Sequence, residues 1–180
     1  FLFNLFADPD IFKLPLAFLT QKPFARFLAR RRAPEARHNY AAIGGKSPLL
    51  ENTQRQAHAL EAALRAHGDY DVFVCMRYWH PLTDAVVTEL KQRGYVQVIF
   101  LPLYPQFSTT TTGSSLSAWK AAFKGKARTV CCYPFDENFV SAHVDRILEA
   151  HQKAGAPDQV TLLLSAHGLP EQVVKGGDPY

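Results

Sequence analysis

Four short apolar runs follow one another at regular intervals from residue 71 onward. They are rich in β-branched and aromatic residues, and they recur every 25 to 32 residues. This composition is typical of buried strands, and the interval is that of strand–helix–strand units. The predicted strands are Asp71 to Met76, Val96 to Tyr104, Arg128 to Tyr133 and Val160 to Ser165.

Helical patterns fill the intervals between these runs. Helices are predicted from Pro48 to Gly68, from Pro81 to Gly94 and from Phe139 to Gly155, because each range has an apolar face at helical spacing and a glycine at its end. The apolar faces are Leu49, Leu60 and Leu64 in the first helix, Leu82, Val86, Val87 and Leu90 in the second, and Phe139, Val140, Val144, Ile147 and Leu148 in the third.

Alternation of strands and helices indicates an α/β fold with a parallel sheet covered by helices on both faces. Ligands in such folds bind beyond the carboxyl ends of the strands. The segments that directly follow the predicted strands are therefore the place to look for function. These segments are 77–81, 105–115, 134–138 and 166–170.

Composition and charge add little until they are mapped along the chain. The 180 residues are 47% hydrophobic and 20% charged, and the net charge of +4 is mild, so no nucleic-acid partner is predicted. The first third holds seven phenylalanines before Arg30 and a basic cluster from Arg26 to Arg32. Two interpretations stay open: a helical hairpin packed on the core, or an apolar lip beside a flat hydrophobic ligand or a membrane surface.

The cysteines and the amino-terminal residues bear on the compartment. Cys75, Cys131 and Cys132 lie in apolar runs without CxxC spacing, so neither a disulfide framework nor a zinc site is expected, and a reducing cytoplasm is the default. No apolar run reaches the roughly 20 residues that span a bilayer. The start lacks the features of a signal peptide, and we expect the sequence to begin partway into a longer protein.

Two motifs that suggest other functions fail on their context. The residues from Gly44 to Ser47 imitate the end of a phosphate-binding loop, but that loop needs a glycine where Tyr40 stands and a strand leading into it. A glycine turn before a capped helix is favoured. The sequence contains no GxSxG pattern, so a serine hydrolase is not indicated. The hydroxyl-rich tract from Ser108 to Ser115 is open to two interpretations, an anion cradle and a polar loop with a helix cap.

His167 follows the last predicted strand directly. Gly168 would let another group approach closely, and Pro170 fixes the exit of the chain. An imidazole titrates near neutral pH and binds metals. A structural and a catalytic role are equally compatible with this placement.

Four motifs, in their order and spacing, resemble the ferrochelatase family, whose members insert ferrous iron into a porphyrin at the last step of haem synthesis. The motifs are IGGKSP at 43–48, RYWHPL at 77–82, YPQFS at 104–108 running into TTGSS at 111–115, and SAHGLP at 165–170 followed by GDPY at 177–180. The resemblance implies two similar Rossmann-like halves around a porphyrin cleft. Residues 1–135 are then the first half without its first strand, and 136–180 are the crossover helix and start of a truncated second half.

The resemblance also implies roles for particular residues. His167 is then the active-site histidine that binds the metal, accepts pyrrole protons or does both, which suits imidazole chemistry. Its partner glutamate is expected outside these residues. Some members carry arginine ahead of the glycine turn, where Ala41 and Ala42 stand, so propionate recognition is expected elsewhere. The porphyrin contacts implied are Tyr40, Ser47, Arg77, Tyr78, Tyr104 and Ser108.

By this resemblance the chain is an enzyme fragment that uses porphyrin and ferrous iron as substrates, needs no cofactor and is inactive alone. It is expected in the cytoplasm, with peripheral contact to the inner face of the membrane through its phenylalanine-rich start. Some members carry a carboxyl-terminal iron–sulfur cluster, for which the three cysteines present are unsuited ligands. Two alternatives stay open: a non-catalytic Rossmann-like binding module, and a chelatase that loads cobalt or nickel into another tetrapyrrole.

Overall fold

Helices dominate the computed structural model, which describes residues 1–12 and 14–180. Two short strands, β1 (Gln97–Phe100) and β2 (Lys126–Thr129), pair with each other in a small parallel sheet. This content fits an α/β fold. The helices are α1 (Leu2–Phe6), α2 (Ala17–Ala41), α3 (Leu49–Leu64), α4 (Thr83–Gln92), α5 (Ser114–Ala122), α6 (Glu137–Lys153) and α7 (Glu171–Lys175), and Thr109–Gly113 forms a π-helical turn ahead of α5.

The two middle strand predictions are confirmed with changed bounds. The run from Val96 to Tyr104 shortens to the four residues of β1, and the run from Arg128 to Tyr133 gives β2, which begins and ends earlier. The two segments remain bonded just beyond the strands, since Val130 N donates to Phe100 O at 3.0 Å and Tyr133 N donates to Pro105 O at 2.9 Å.

The outer two strand predictions are wrong for this structure. Asp71 to Met76 forms no strand apart from an isolated bridge between Met76 and Leu82, and Val160 to Ser165 is irregular. The physical reason is that a strand exists through hydrogen bonds to a neighbour. Apolar composition predicts burial, but among the described residues no neighbouring strand pairs with either run.

The three predicted helices are confirmed as α3, α4 and α6. Local chemistry explains their starts, since the Ser47 hydroxyl accepts the Leu49 N–H at 3.2 Å before α3. Asp136 caps α6, because its Oδ1 accepts the Asn138 and Phe139 N–H groups at 3.1 and 3.0 Å.

The apolar residues of α4 and α6 have different surroundings. In α4, Val86, Val87 and Leu90 are buried, as predicted. In α6, Val140, Val144, Ile147 and Leu148 are exposed instead, and so is the run from Leu162 to Leu164, in which Leu163 is 85% exposed. The helical spacing therefore predicted the position of α6 correctly, but most of its apolar residues are not packed against a core.

The described residues form two compact units. Unit 1 comprises Phe1–Val98 and Ser114–Lys126, and unit 2 comprises Ile99–Gly113 and Ala127–Tyr180. The core of unit 1 lies between α4 and α5, where Trp119 and Phe123 are buried. The two similar halves expected from the family resemblance stay a prediction, as does the boundary at residue 135.

The amino-terminal segment of unit 1 is a helical hairpin, in agreement with one of the two interpretations of its phenylalanines. Helices α1 and α2 pack together, and the Phe12 ring lies 5.4 Å from Phe6 and 6.3 Å from Phe24. Gln21 on α2 donates from Nε2 to Phe6 O at 3.0 Å. No helix in the described ranges is both long and apolar enough to cross a membrane.

The turn after α2 confirms that the Gly44-Gly45 motif is not a phosphate-binding loop. The preceding element is the helix α2 and not a strand. Gly44 and Gly45 have φ of +92° and +85°, a left-handed conformation that favours glycine. The glycines therefore serve the turn between α2 and α3.

Cys131 and Cys132 are joined by a single disulfide, which the cysteine spacing did not predict. Their Cα atoms are 3.8 Å apart, the fixed distance between neighbouring residues across a trans peptide bond. Reasoning from CxxC spacing overlooked the pair because the two cysteines are adjacent in sequence.

Candidate functional site

A buried carboxylate organises the polar centre of unit 1. Asp8 is only 3% exposed, and its Oδ2 accepts hydrogen bonds from Arg77 Nη2 at 2.8 Å, Tyr78 Oη at 2.7 Å and Ser114 Oγ at 2.5 Å. The donors lie 69 to 106 residues away in sequence. We call these four residues the Asp8 cluster.

The hydroxyl protons of this cluster have defined directions. Tyr78 and Ser114 each carry one hydroxyl proton, and both protons point to Asp8. The 3.2 Å contact between the two hydroxyl oxygens therefore carries no proton of its own. Ser114 Oγ accepts from Arg77 Nε at 2.7 Å, which closes a ring from arginine through serine to the carboxylate and back to the arginine.

Electrostatics keep this cluster ionised as an arginine–carboxylate pair. Burial raises the pKa of Asp8, but hydrogen bonds from Ser114 and Tyr78 and the Arg77 charge lower that pKa by more, so it lies below its usual value. Burial and the bond to Asp8 raise the pKa of Tyr78 well above its usual value. At neutral pH Asp8 is therefore charged and Tyr78 is protonated.

The loop that carries Arg77 and Tyr78 is fixed on several sides. It follows the segment that ends at Met76 and precedes α4. Asn4 Nδ2 donates to the Tyr78 carbonyl at 3.1 Å, and Arg77 Cζ lies 4.9 Å from the Tyr78 ring centroid. Arg77 and Tyr78 therefore bind the same carboxylate, and their contact with porphyrin stays a prediction.

Sequence reasoning missed Asp8 as a member of the site and gave Ser114 no role beyond its motif. A signal for Asp8 was present, since it is an acidic residue directly after the apolar run from Leu2 to Ala7. Such a residue is exposed unless it has partners. Those partners are remote in sequence, so the pattern alone could not name them.

Unit 1 also contains a cavity of about 700 Å³ that brings Tyr40 next to aromatic and basic residues. We call it the amino-terminal cavity. Its volume is in the range of small-molecule sites. Among its lining residues are Phe1, Phe3, Arg26, Arg30, Tyr40 and Trp79.

A second carboxylate organises unit 2. Asp178 is buried, and its Oδ2 accepts from Ser108 Oγ at 2.9 Å, Thr109 N at 2.7 Å and Thr109 Oγ1 at 2.5 Å. Its Oδ1 accepts from Tyr180 N at 3.0 Å. We call Asp178, Ser108 and Thr109 the Asp178 cluster. The hydroxyl-rich tract thus holds an anion, and that anion is a side chain of the same protein.

The Asp178 carboxylate is also ionised at neutral pH. Burial raises its pKa, but hydrogen bonds from Thr109, Tyr180 and Ser108 lower the pKa by more, so it lies below its usual value. Ser108 is 2% exposed and its hydroxyl is already bound within unit 2.

The remaining predicted site residues lie at the surface. Ser47 in unit 1 is exposed, with its hydroxyl next to the start of α3. Tyr104 and His167 in unit 2 are exposed too, and His167 lies in an irregular segment ahead of α7. Within residues 1–12 and 14–180, no group of three or more His, Cys, Asp or Glu side chains is arranged to hold a metal ion.

The helix-rich chain with its small parallel sheet fits the α/β fold of the chelatase class of proteins. The family model described as Ferrochelatase matches residues 1–180. The chain belongs to the ferrochelatase family.

Ferrochelatases from several bacteria match this chain over its full length. A ferrochelatase from Hyphomonas neptunium is 57% identical over 185 residues, which cover 100% of this chain and 51% of that protein. Ferrochelatases from Caulobacter vibrioides and Pelagibacter ubique are 50% and 40% identical, and each match covers 100% of this chain and 53% of the relative. The chain thus spans about half the length of these relatives.

Proposed function

We propose that the full-length protein inserts ferrous iron into a porphyrin, protoporphyrin IX, and so forms haem as a lyase. The observation that carries this proposal is the ferrochelatase family match over residues 1–180. The chain spans about half the length of its relatives, so the activity is proposed for the whole protein. We propose that these 180 residues alone are inactive, because they supply one wall of the cleft.

Iron insertion releases two protons, since the two pyrrole N–H groups lose their protons as Fe²⁺ binds the four nitrogens. A group that takes those protons near neutral pH is therefore required. We propose His167 for this role, for binding of the incoming iron, or for both. Its exposure supports the role, because an imidazole that meets water can exchange both protons and metal ions.

We propose that the amino-terminal cavity and its surroundings bind the porphyrin. The aromatic rings of Tyr40 and Trp79 suit the faces of a flat macrocycle. Arg26 and Arg30 suit its propionates, which fits the lack of arginine at Ala41 and Ala42. The further proposed contacts are Ser47, Arg77, Tyr78, Tyr104 and Ser108.

These further contacts differ in what they offer a substrate. Ser47 and Tyr104 are exposed, so a ligand can reach both residues from solvent. The Ser108 hydroxyl is held by Asp178, so direct contact with porphyrin requires that bond to break.

The test is metal insertion by the full-length protein, with ferrous, cobalt and nickel ions in separate assays. We expect iron insertion, and a loss of about a hundredfold or more in His167→Ala, the range of a lost acid–base group. The control is His67→Ala, since His67 is also exposed and has no proposed role. Porphyrin binding without insertion would favour a binding module, and insertion of cobalt or nickel alone would favour another tetrapyrrole chelatase.

We further propose that the protein is cytoplasmic and that it makes peripheral contact with the inner face of the membrane through the start of α2. Leu16, Phe18 and Leu19 are exposed there, Phe18 by 82%, and Lys22 is one turn further on. Exposed apolar residues beside cations favour an anionic lipid surface. Under this proposal Phe18 meets the membrane, whereas Phe6, Phe12 and Phe24 pack within the hairpin.

Vesicle sedimentation of the full-length protein tests this contact. We expect Phe18→Ser to weaken binding to anionic vesicles about tenfold, the loss for one buried aromatic side chain. Val96→Ser is the matched control, because Val96 is similarly exposed in unit 1 but lies outside α2. Equal binding by the two variants would contradict the proposal.

A further inference from the structure

We propose that Asp8 is a positioning residue of the porphyrin site, which sets the direction of the Arg77 guanidinium and the Tyr78 hydroxyl. The inference rests on the proposed function, in which Arg77 and Tyr78 contact the porphyrin. Asp8 itself does not touch substrate, because it is 3% exposed and its Oδ2 is occupied by three side-chain donors.

The first step concerns Arg77. A guanidinium has five N–H protons in a fixed plane, and two of them are used by Asp8 and Ser114. The side chain is 24% exposed, so the remaining edge can meet a ligand. Two hydrogen bonds on one edge fix a planar group completely, and the Asp8 cluster thereby decides which N–H protons are presented.

The second step concerns Tyr78. Its only hydroxyl proton goes to Asp8 at 2.7 Å, and the Ser114 proton also goes to Asp8. The phenol oxygen therefore has lone pairs and no proton to offer. Tyr78 can accept a hydrogen bond from a substrate N–H group, but it cannot donate one while Asp8 is ionised.

The third step concerns charge. Asp8 and Arg77 form an ion pair at 2.8 Å. The carboxylate therefore largely offsets the positive charge of the guanidinium, and the loop presents mainly hydrogen-bond donors in fixed directions. Loss of the carboxylate charge would leave three donors around a weaker acceptor and free the guanidinium to turn toward solvent. The porphyrin would then meet a mobile cation in place of a fixed donor edge.

The test uses full-length enzyme with Asp8→Asn, which keeps the shape of the side chain and removes its charge. We expect the KM for porphyrin to rise about tenfold, the effect of one lost charge-assisted hydrogen bond, while the KM for ferrous iron stays unchanged. Asp10→Asn is the matched control, because Asp10 lies in the same loop and only its backbone N–H bonds Asp8.

A double-mutant cycle separates positioning from general stability. If Asp8 acts mainly through Arg77, Asp8→Asn should change the porphyrin KM by no more than about twofold in an Arg77→Met background. The same tenfold factor in both backgrounds would overturn the inference, since that result indicates a structural role. So would an Asp8→Asn enzyme with an unchanged porphyrin KM.

A second variant covers the case in which Asp8→Asn does not fold. Ser114→Ala removes one link of the ring and leaves the Asp8–Arg77 pair in place. We expect it to raise the porphyrin KM about threefold, less than Asp8→Asn, because the direct bond from Arg77 to Asp8 still holds the guanidinium. An unchanged value would overturn the inference. A different result would contradict the proposed function, namely that the unmodified full-length protein binds porphyrin but inserts no iron.

Discussion

Replacement of Asp178 by alanine should loosen the π-helical turn Thr109–Gly113 without unfolding the rest of unit 2. The carboxylate accepts from the Ser108 hydroxyl and from both the N–H and the hydroxyl of Thr109. These bonds connect the turn to the segment at the far end of unit 2's sequence, 69 and 70 residues away. Local loosening is therefore the direct consequence of their loss.

The size of the effect follows from burial. Ser108 is buried, so without Asp178 its hydroxyl can turn only to Thr110 Oγ1, which lies 2.8 Å away. Exchange of a bond to a carboxylate for a bond to a neutral hydroxyl costs about 1 to 2 kcal/mol. Thr109 is exposed, and its two donors can bond water instead at a smaller cost. Together the changes amount to about 3 kcal/mol for opening of the turn, which is a factor of about a hundred in the opening equilibrium.

Hydrogen exchange followed by mass spectrometry of the full-length protein measures this opening. Amide exchange in peptides that contain Thr111 and Gly113, whose N–H groups bond Ser108 O, should accelerate about a hundredfold in Asp178→Ala. Asp158→Ala is the control, because Asp158 is exposed in the same unit. Unchanged exchange in the turn, or equal acceleration in the control, would refute the reasoning.

The stabilisation by Asp178 should also depend on pH in a defined direction. Its folded pKa is lowered below the value of about 3.9 in an unfolded chain. The contribution is therefore complete above pH of about 3.9 and is lost as the pH falls through the lower, folded pKa. Wild type and Asp178→Ala should differ in Tm at pH 7 and converge in strong acid, and a difference that grows with acidity would contradict the assigned ionisation.

Other predictions concern stability alone. Leu90→Ala should lower the free energy of unfolding by about 2 to 4 kcal/mol because Leu90 is buried, whereas Leu49→Ala, at an exposed position, should cost less than about 1 kcal/mol in urea unfolding. Gly45→Ala should cost about 1 to 2 kcal/mol through its φ of +85°, and Gly168→Ala, without a positive φ, should cost less. Asp136→Ala should cost about 1 kcal/mol through loss of the α6 cap, and an unchanged Tm would contradict that role.

The sequence predicted α3, α4 and α6 because their signals are local, whereas α1, α5 and α7 were not predicted. A first-turn proline and a terminal glycine located α3, and a stripe at helical spacing located α6. Strands were predicted less well because a strand depends on a neighbour that the local pattern does not contain. The runs from Asp71 and from Val160 have the composition of strands and lack the pairing.

The candidate site was likewise predicted only in part. The motif around Arg77 and Tyr78 was visible as polar residues after a predicted strand, and the structure places both side chains on one carboxylate. The identity of that carboxylate was not visible, because Asp8 lies 69 residues earlier than Arg77. Asp178 belongs to the GDPY motif at 177–180, but its hydrogen bonds to Thr109 depend on a chain reversal that no local pattern encodes.

The exposed run from Val160 to Leu164 has a consequence for handling the protein. Leu163 and Leu164 are 85% and 83% exposed, and the backbone of this run is not paired in a sheet. An uncharged, leucine-rich segment with free backbone groups is a template for intermolecular β-pairing. We therefore expect the 180-residue chain, expressed by itself, to collect in inclusion bodies, and two lysines in place of Leu163 and Leu164 to keep it dispersed.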